Sequence, residues 1–512
     1  MNERHPAAAN AHRDEILARV ITRQLRILRL QLELLEEARG ARAGAPAPEE
    51  ALTAPTTEAQ HGLWALAQLD PRASAAYNQT LIMRLSGPID VPALRRSLHH
   101  LVSRHEALRT TFDEDGRTQR IAPEGTAHIT LIDLSDVPGS EATAISLLAT
   151  MSRWPFDLLR GPLLRVALAR LAGELSFLAI VVHHIVSDGR SLGVLLEELP
   201  AIYRSERCGI PCGLPEPVPF RDFRRLLAPA SRPDEAAERF WQHKLEPLPP
   251  PLELPCDHRR PPLQTYRGAR AATDLAESLV SCLRDECTAA RATLFMALLA
   301  AFEVLLHGMT GQSDLVIGVH SARRATDVGR HLFGLAIQTL PLRLTVNPDT
   351  SFRDKVHATR RELLQAIEHD NVHIGKLIRK LGIARDPSRP PLISVSFNLE
   401  LAAAELDWDG VRAEMIPEPS PPARYDVSWN LVGVGDTLRV DCTYNADLFD
   451  SSTAYSWLAD FRTILETVAT DPDITIRQVT QRIADEARAR ATREKALRSK
   501  KLQLARRQPV YI

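Results

Sequence analysis

His183 and His184, followed by Asp188 and Gly189, are the residues in this chain whose types and spacing suit proton-transfer chemistry. A histidine near its natural pKa takes or gives a proton at neutral pH, which is what acyl transfer to an amine or hydroxyl requires. Leu178–Val182 reads as a buried strand, and Ser187–Ser191 as a turn leading into a helix that begins near Leu192. Both imidazoles then sit at a strand end, where neighbouring side chains point to opposite faces, so one is available for chemistry and the other for structure. A pair of histidines packed in a strand core would show the same pattern. Asp188, across the turn, is close enough to fix the local backbone or to pair with a cation, and Gly189 permits the turn. The backbone amides of Asp188 and Gly189 are candidate oxyanion donors. The sequence has no G-x-S-x-G elbow, so nothing signals a covalent acyl-enzyme.

The elements that must position these groups follow from pattern and composition. At 512 residues and 44% hydrophobic content the chain is long enough for two cores. A net charge of -1 gives no overall reason to expect a nucleic-acid or anionic-membrane partner. The six cysteines (Cys208, Cys212, Cys256, Cys282, Cys287 and Cys442) include no C-x-x-C pair and suit reduced thiols, with no metal site expected. The start lacks a signal-peptide core, and the longest apolar stretch, near Leu175 to Val186, is too short to span a bilayer, so a soluble, cytoplasmic protein is expected.

Ile21, Leu25, Leu28, Leu32 and Leu35 form the seam of a helix seeking a partner, and Ala41 to Pro55 reads as a linker, giving a docking or dimerisation segment over 1–50. Helices at Pro92–Leu108 and Leu192–Tyr203 alternate with strands such as Ser176–Val182, a mixed α/β pattern. The proline-rich run from Pro247 to Pro262 excludes regular structure and marks an inter-lobe connection from about Leu227 to Pro262. The expected divisions are a first lobe over 51–226, a second over 227–480, and a basic helical tail over 481–512. That tail carries Arg488, Arg490, Arg493, Lys495, Arg498, Lys500, Lys501, Arg506 and Arg507, which would suit an acidic partner.

The segment His183-His184-Ile185-Val186-Ser187-Asp188-Gly189 resembles the signature of condensation domains from non-ribosomal peptide synthetases, and further motifs follow in that family's order. Thr57-Glu58-Ala59-Gln60-His61-Gly62-Leu63-Trp64 is similar to its opening motif, and Arg104-His105-Glu106-Ala107-Leu108-Arg109-Thr110-Thr111-Phe112 to its R-H-E-x-L-R-T-x-F motif. Phe220-Arg221-Asp222-Phe223, Arg385-Asp386-Pro387-Ser388-Arg389-Pro390-Pro391-Leu392 and Tyr444-Asn445-Ala446-Asp447-Leu448-Phe449 match later ones, so the resemblance covers roughly Pro55 to Gln478. It implies two chloramphenicol-acetyltransferase-like lobes in a V with a central tunnel. It assigns catalysis to His184, structural roles to His183 and Asp188, a pairing of Arg324 with Asp188, the acceptor approach to Gly189, and a tunnel-lining place to Asn398. Arg104, Arg109 and Asp222 read as scaffold polar bonding.

The function implied is that of a free-standing condensation enzyme of non-ribosomal peptide or hybrid polyketide-peptide biosynthesis. It would transfer an acyl group from a phosphopantetheine thioester to an amine or hydroxyl, giving an amide or ester. No cofactor would be bound, because the phosphopantetheine belongs to a donor acyl or peptidyl carrier protein arriving in trans. The acceptor would be a second carrier or a free small molecule, with docking contacts through the terminal helices. Two stretches depart from the pattern, Gly334 to Arg343 and Glu368 to Ile374. A CoA-dependent acyltransferase and a non-catalytic recruitment module of the same fold remain as alternatives; the related epimerases are disfavoured by the missing E-G-H-G-R-E motif.

Overall fold

The computed structural model describes residues 51–137, 139–222, 235–322, 329, 331–401, 406–434 and 437–507. The seam helix of the 1–50 segment and Arg324 lie outside the described residues. The described residues fall into two compact units, one drawn from Met1–Ser231, Ala322–Ala336 and Ala403–Pro422, the other from Arg232–Ser321, Ile337–Ala402 and Ala423–Ile512.

The first unit is built on a six-stranded sheet whose centre is β7 (Leu175–His183), flanked by β2 (Asn78–Ser86) and β6 (Leu164–Arg170), with β5 (Ile129–Asp133) at one edge. Every residue of β7 after Leu175 is buried. A strand covered on both faces needs a continuous apolar run rather than an alternating one, and Phe177 to Val182 supplies it. The helices Val91–Arg104 and Gly189–Cys208 pack together in this unit. Asp90 starts the first by accepting the Ala93 N–H at 2.9 Å, with Pro92 in the opening turn, where no amide is needed. Ala93, Leu94, Leu98, Leu101 and Val102 then form its buried stripe. A small sheet joins β3 (Thr110–Phe112), β4 (Thr118–Ile121) and β1 (Leu52–Pro55), so the end of the expected linker is a paired strand, with Leu52 opposite Ile121.

A single cut near residue 226 does not describe this unit. β12 (Leu406–Asp407) and β13 (Arg412–Ile416) form a hairpin that continues the sheet on the other edge of β2, with Met415 opposite Met83. From Ile82 to Ser86 the outward hydrogen-bonding groups of β2 find their partners in that late segment.

In the second unit β10 (Gln338–Thr345), β9 (Asp314–Ser321), β11 (Val395–Leu401), β14 (Val427–Val434), β15 (Thr437–Asn445) and β8 (Gly268–Leu275) lie in that order. Helix Leu294–Thr310 is apolar almost all round and is buried accordingly. Phe397, Phe302, Trp429 and Phe461 run through the core with successive ring centroids 5.1, 5.1 and 4.9 Å apart. The stretch expected to be connection contains helix Glu235–Leu245, anchored by buried Trp241, whose indole donates to the His369 carbonyl at 2.9 Å. The basic tail is likewise no separate element. Its helix starts at Ile476 and runs to Arg507, with Ile476 and Val479 in the core. Among the described residues no single helix is long and apolar enough to cross a membrane.

Candidate active site

The sheet delivers both histidines. At the end of β7 the His183 N–H donates to the Leu163 carbonyl (3.1 Å) and the His184 N–H to the Tyr77 carbonyl (2.9 Å). Because the antiparallel register sets Asn78 opposite His183, the pair Tyr77 and His184 follows one step on, and their rings stack at 6.0 Å. His183 points the other way, edge-on to Phe156 and within 3.2 Å of the Ser74 hydroxyl. The opposed facing expected from strand alternation is therefore present.

Backbone partners fix opposite tautomers on the two rings. His183 Nδ1 accepts the Ile185 N–H at 3.1 Å, so its proton is on Nε2, towards Ser74. His184 Nδ1 lies 2.5 Å from the Ser187 carbonyl oxygen, which can only accept, so Nδ1 carries the proton and Nε2 the lone pair. His183 is wholly enclosed, whereas His184 retains 8% exposure.

The turn that presents the Ser187 carbonyl is braced from distant sequence. Gln60 is fully buried, and its Nε2 donates to the Ile185 carbonyl (3.1 Å) and to Gln119 Oε1 (3.2 Å). Its Oε1 accepts the Thr57 N–H while Thr57 Oγ1 accepts the Gln60 N–H, a capping box that opens helix Glu58–Leu69. The Ser187 hydroxyl donates to Gln79 Oε1 at 2.7 Å.

Asp188 is extended (φ -140°, ψ -178°) and caps helix Gly189–Cys208, its Oδ1 accepting the Ser191 N–H and hydroxyl, both at 2.9 Å. The helix thus begins at Gly189, three residues before the expected Leu192, because a capping carboxylate allows the helical turn to start at once. Gly189 occupies the first helical position, so the turn is set by the extended Asp188 rather than by glycine's left-handed freedom. Asp188 Oδ2 accepts the Ala336 N–H at 2.9 Å, and the Ser191 hydroxyl accepts the Gly334 N–H at 3.0 Å. The departing motif therefore serves this unit through backbone, which its altered side chains leave intact. Gly334 itself is required: at φ +154° a Cβ there would fall 1.9 Å from the Phe220 ring.

Further along the same helix, buried Glu198 takes Arg104 Nε at 2.9 Å and His105 Nε2 at 2.7 Å. Burial opposes its ionisation, but the hydrogen bonds from His105 and Arg104, with their charge, hold its carboxyl below the usual range. Asn398, on β11 of the other unit, donates its amide to Glu400 Oε1 (2.9 Å) and Asn430 Oδ1 (3.0 Å). Gln60, Ser187, Glu198 and the Ala336 amide were not marked by sequence reasoning. Only Gln60 carried a local signal, the T-x-x-Q spacing of a capping box.

The condensation-domain family model matches residues 50–489, and the chain belongs to that family. It is 33% identical over 457 residues to chondramide synthase of Chondromyces crocatus, covering 87% of this chain and 12% of the relative. It is 33% identical to the phosphinothricin tripeptide synthetase PhsC of Streptomyces viridochromogenes, covering 86% of this chain and 42% of the relative. The chain thus spans less than half the length of these relatives. Among solved structures it resembles the first condensation domain of the calcium-dependent antibiotic synthetase in complex with a substrate analogue, at 26% identity and TM-score 0.72 over 83% of this chain and 98% of that one. It also resembles the X-domain from teicoplanin biosynthesis in complex with OxyB, at 26% identity and TM-score 0.73 over 85% of this chain and 97% of that one. These likenesses support the chloramphenicol-acetyltransferase-like fold class.

Proposed function

We propose that the chain is an acyltransferase that joins an acyl group, held as a phosphopantetheine thioester on a carrier protein, to an amine or hydroxyl, forming an amide or ester. The observation that carries this reading is the bond from His184 Nδ1 to the Ser187 carbonyl, which leaves the basic lone pair on Nε2 of the more accessible imidazole. The nucleophile's N–H or O–H gives its proton to Nε2 as its lone pair attacks the thioester carbon. The tetrahedral intermediate then expels the thiolate, which takes the proton from the imidazolium. A thioester is already activated, so holding the reactants in attack geometry supplies much of the rate. An amine attacks unaided once neutral, whereas a hydroxyl needs true general-base help. In this reading His183 and Asp188 are structural, Gly189 opens the helix beside the acceptor approach, and the carriers act in trans in the cytoplasm.

Intact-protein mass spectrometry of donor and acceptor carriers tests the reading, with transfer expected from the wild type. General acid–base help is typically worth about 10² to 10⁴-fold, so His184→Ala should lose that much in single turnover, and most with a hydroxyl acceptor. A folded His184→Ala protein with the wild-type rate would refute it. The likeness to an X-domain solved with OxyB favours a second reading, a module that recruits another protein. Absence of transfer with every carrier pair, together with binding of a partner enzyme, would select it.

A further inference from the structure

The strand register places one more polar side chain on the face that bears His184. In the β2–β7 ladder Gln79 lies opposite Val182, two pairs before Tyr77 and His184, so residues 77, 79, 182 and 184 share a face. Gln79 and His184 are diagonal neighbours, about 7–8 Å apart at Cα and within reach of a long side chain. The Gln79 carboxamide is held in place, since its Oε1 accepts the Ser187 hydroxyl at 2.7 Å, from the same residue whose carbonyl holds His184 Nδ1. Its Nε2 makes no hydrogen bond among the described residues, and the residue is half-buried. The carboxamide is thus anchored at its oxygen, with its N–H donors left to water or to a bound molecule.

We infer that Gln79 is a positioning residue that selects the acyl group: its Nε2–H donates to an oxygen carried along the acyl chain, so that 3-oxoacyl or amide-bearing acyl groups are preferred over plain alkyl ones. The assignment rests on the proposed acyl transfer at His184. An amide N–H needs a lone pair to bind. The attacking nitrogen of an amine consumes its lone pair in the reaction, whereas an acyl chain with a second carbonyl a few bonds from the thioester offers one. The separation from His184 favours such a neighbouring oxygen over the reacting carbonyl itself.

The test compares two stable probes of equal chain length, the pantetheine amides of a 3-oxoacyl and of an unsubstituted acyl group, in which nitrogen replaces the thioester sulfur. Dissociation constants are measured by calorimetry for the full chain and for Gln79→Leu, with melting temperatures recorded for both. The wild type should bind the 3-oxo probe about tenfold more tightly, the worth of one well-made hydrogen bond, and Gln79→Leu should lose that ratio. A wild type without the preference, or a variant in which both affinities fall equally, overturns the inference, because a merely structural side chain cannot change the ratio. Gln79→Glu, which lacks the N–H, should also lose it. Since the probes undergo no turnover, a His184→Ala protein that kept its rate would refute the acyl-transfer chemistry while leaving this ratio as measured.

Discussion

Replacing Asp188 by asparagine removes a charge while keeping the shape, and the consequence can be worked atom by atom. The new carboxamide could keep its oxygen towards the Ser191 N–H and hydroxyl, where Oδ1 now makes two contacts of 2.9 Å. Its amide nitrogen would then face the Ala336 N–H, which now donates to Oδ2, setting donor against donor. A buried N–H left unsatisfied costs about 1–3 kcal/mol, and the lost charge assistance at a helix N-terminus adds roughly 0.3–1 kcal/mol. Flipping the amide rescues Ala336 but forfeits the cap, itself worth about 0.5–2 kcal/mol. Either way the expected loss is about 1–4 kcal/mol, concentrated at the start of helix Gly189–Cys208. Hydrogen exchange followed by mass spectrometry should show the peptide covering residues 184–195 losing protection, while peptides of helix Leu294–Thr310 in the other core keep theirs. Because Ser187 precedes Asp188, the bond that orients His184 should loosen too, and transfer activity should fall with the protection. An Asp188→Asn protein with unchanged exchange at 184–195 would refute the account of this turn.

Glu198→Ala leaves Arg104 and His105 without their carboxylate and should cost about 3–5 kcal/mol at pH 7. Since the folded pKa of Glu198 lies below its unfolded value, its contribution is fully present above the unfolded value and is lost as pH falls through the folded one. The gap between wild type and variant, read from urea titrations, should therefore shrink below about pH 4.5; a constant gap would contradict the ion cluster. Gln60→Leu strips partners from the Ile185 carbonyl and the Thr57 N–H, at about 1–3 kcal/mol each, and calorimetry should show a lower melting temperature. Maleimide at pH 7.5 should label exposed Cys208, Cys256 and Cys282 in the native protein. Cys287, pushed up to about 11 by burial, and Cys442, raised further by burial, should react only after denaturation, and early labelling of Cys442 would count against its core position.

The fold class, the strand through Val182 and the opposed facing of the two histidines were legible because they depend on local pattern. An apolar run and a two-residue alternation are written in consecutive residues. The helix start at Gly189 was missed because a capping carboxylate leaves only a weak trace beside a turn-forming glycine. The braces at Gln60 and Ala336 reach the turn across long sequence separations, and the second is a backbone amide donating to Asp188, a donor that no residue type advertises. The placement of β13 beside β2 was illegible for the same reason: its five residues show little that tells which sheet will accept them.

That placement has a consequence for how the protein comes to exist. β2 and β13 are about 330 residues apart in sequence, so the first sheet waits for its last strand until most of the chain has left the ribosome, at about 5–20 residues per second. During that interval the bare edge from Ile82 to Ser86 is an open template for any other extended strand, including that of a nascent neighbour on the same message. Expression of residues 51–231 alone would make that exposure permanent, and aggregation of such a fragment would follow from sheet closure being a late event in the life of each molecule.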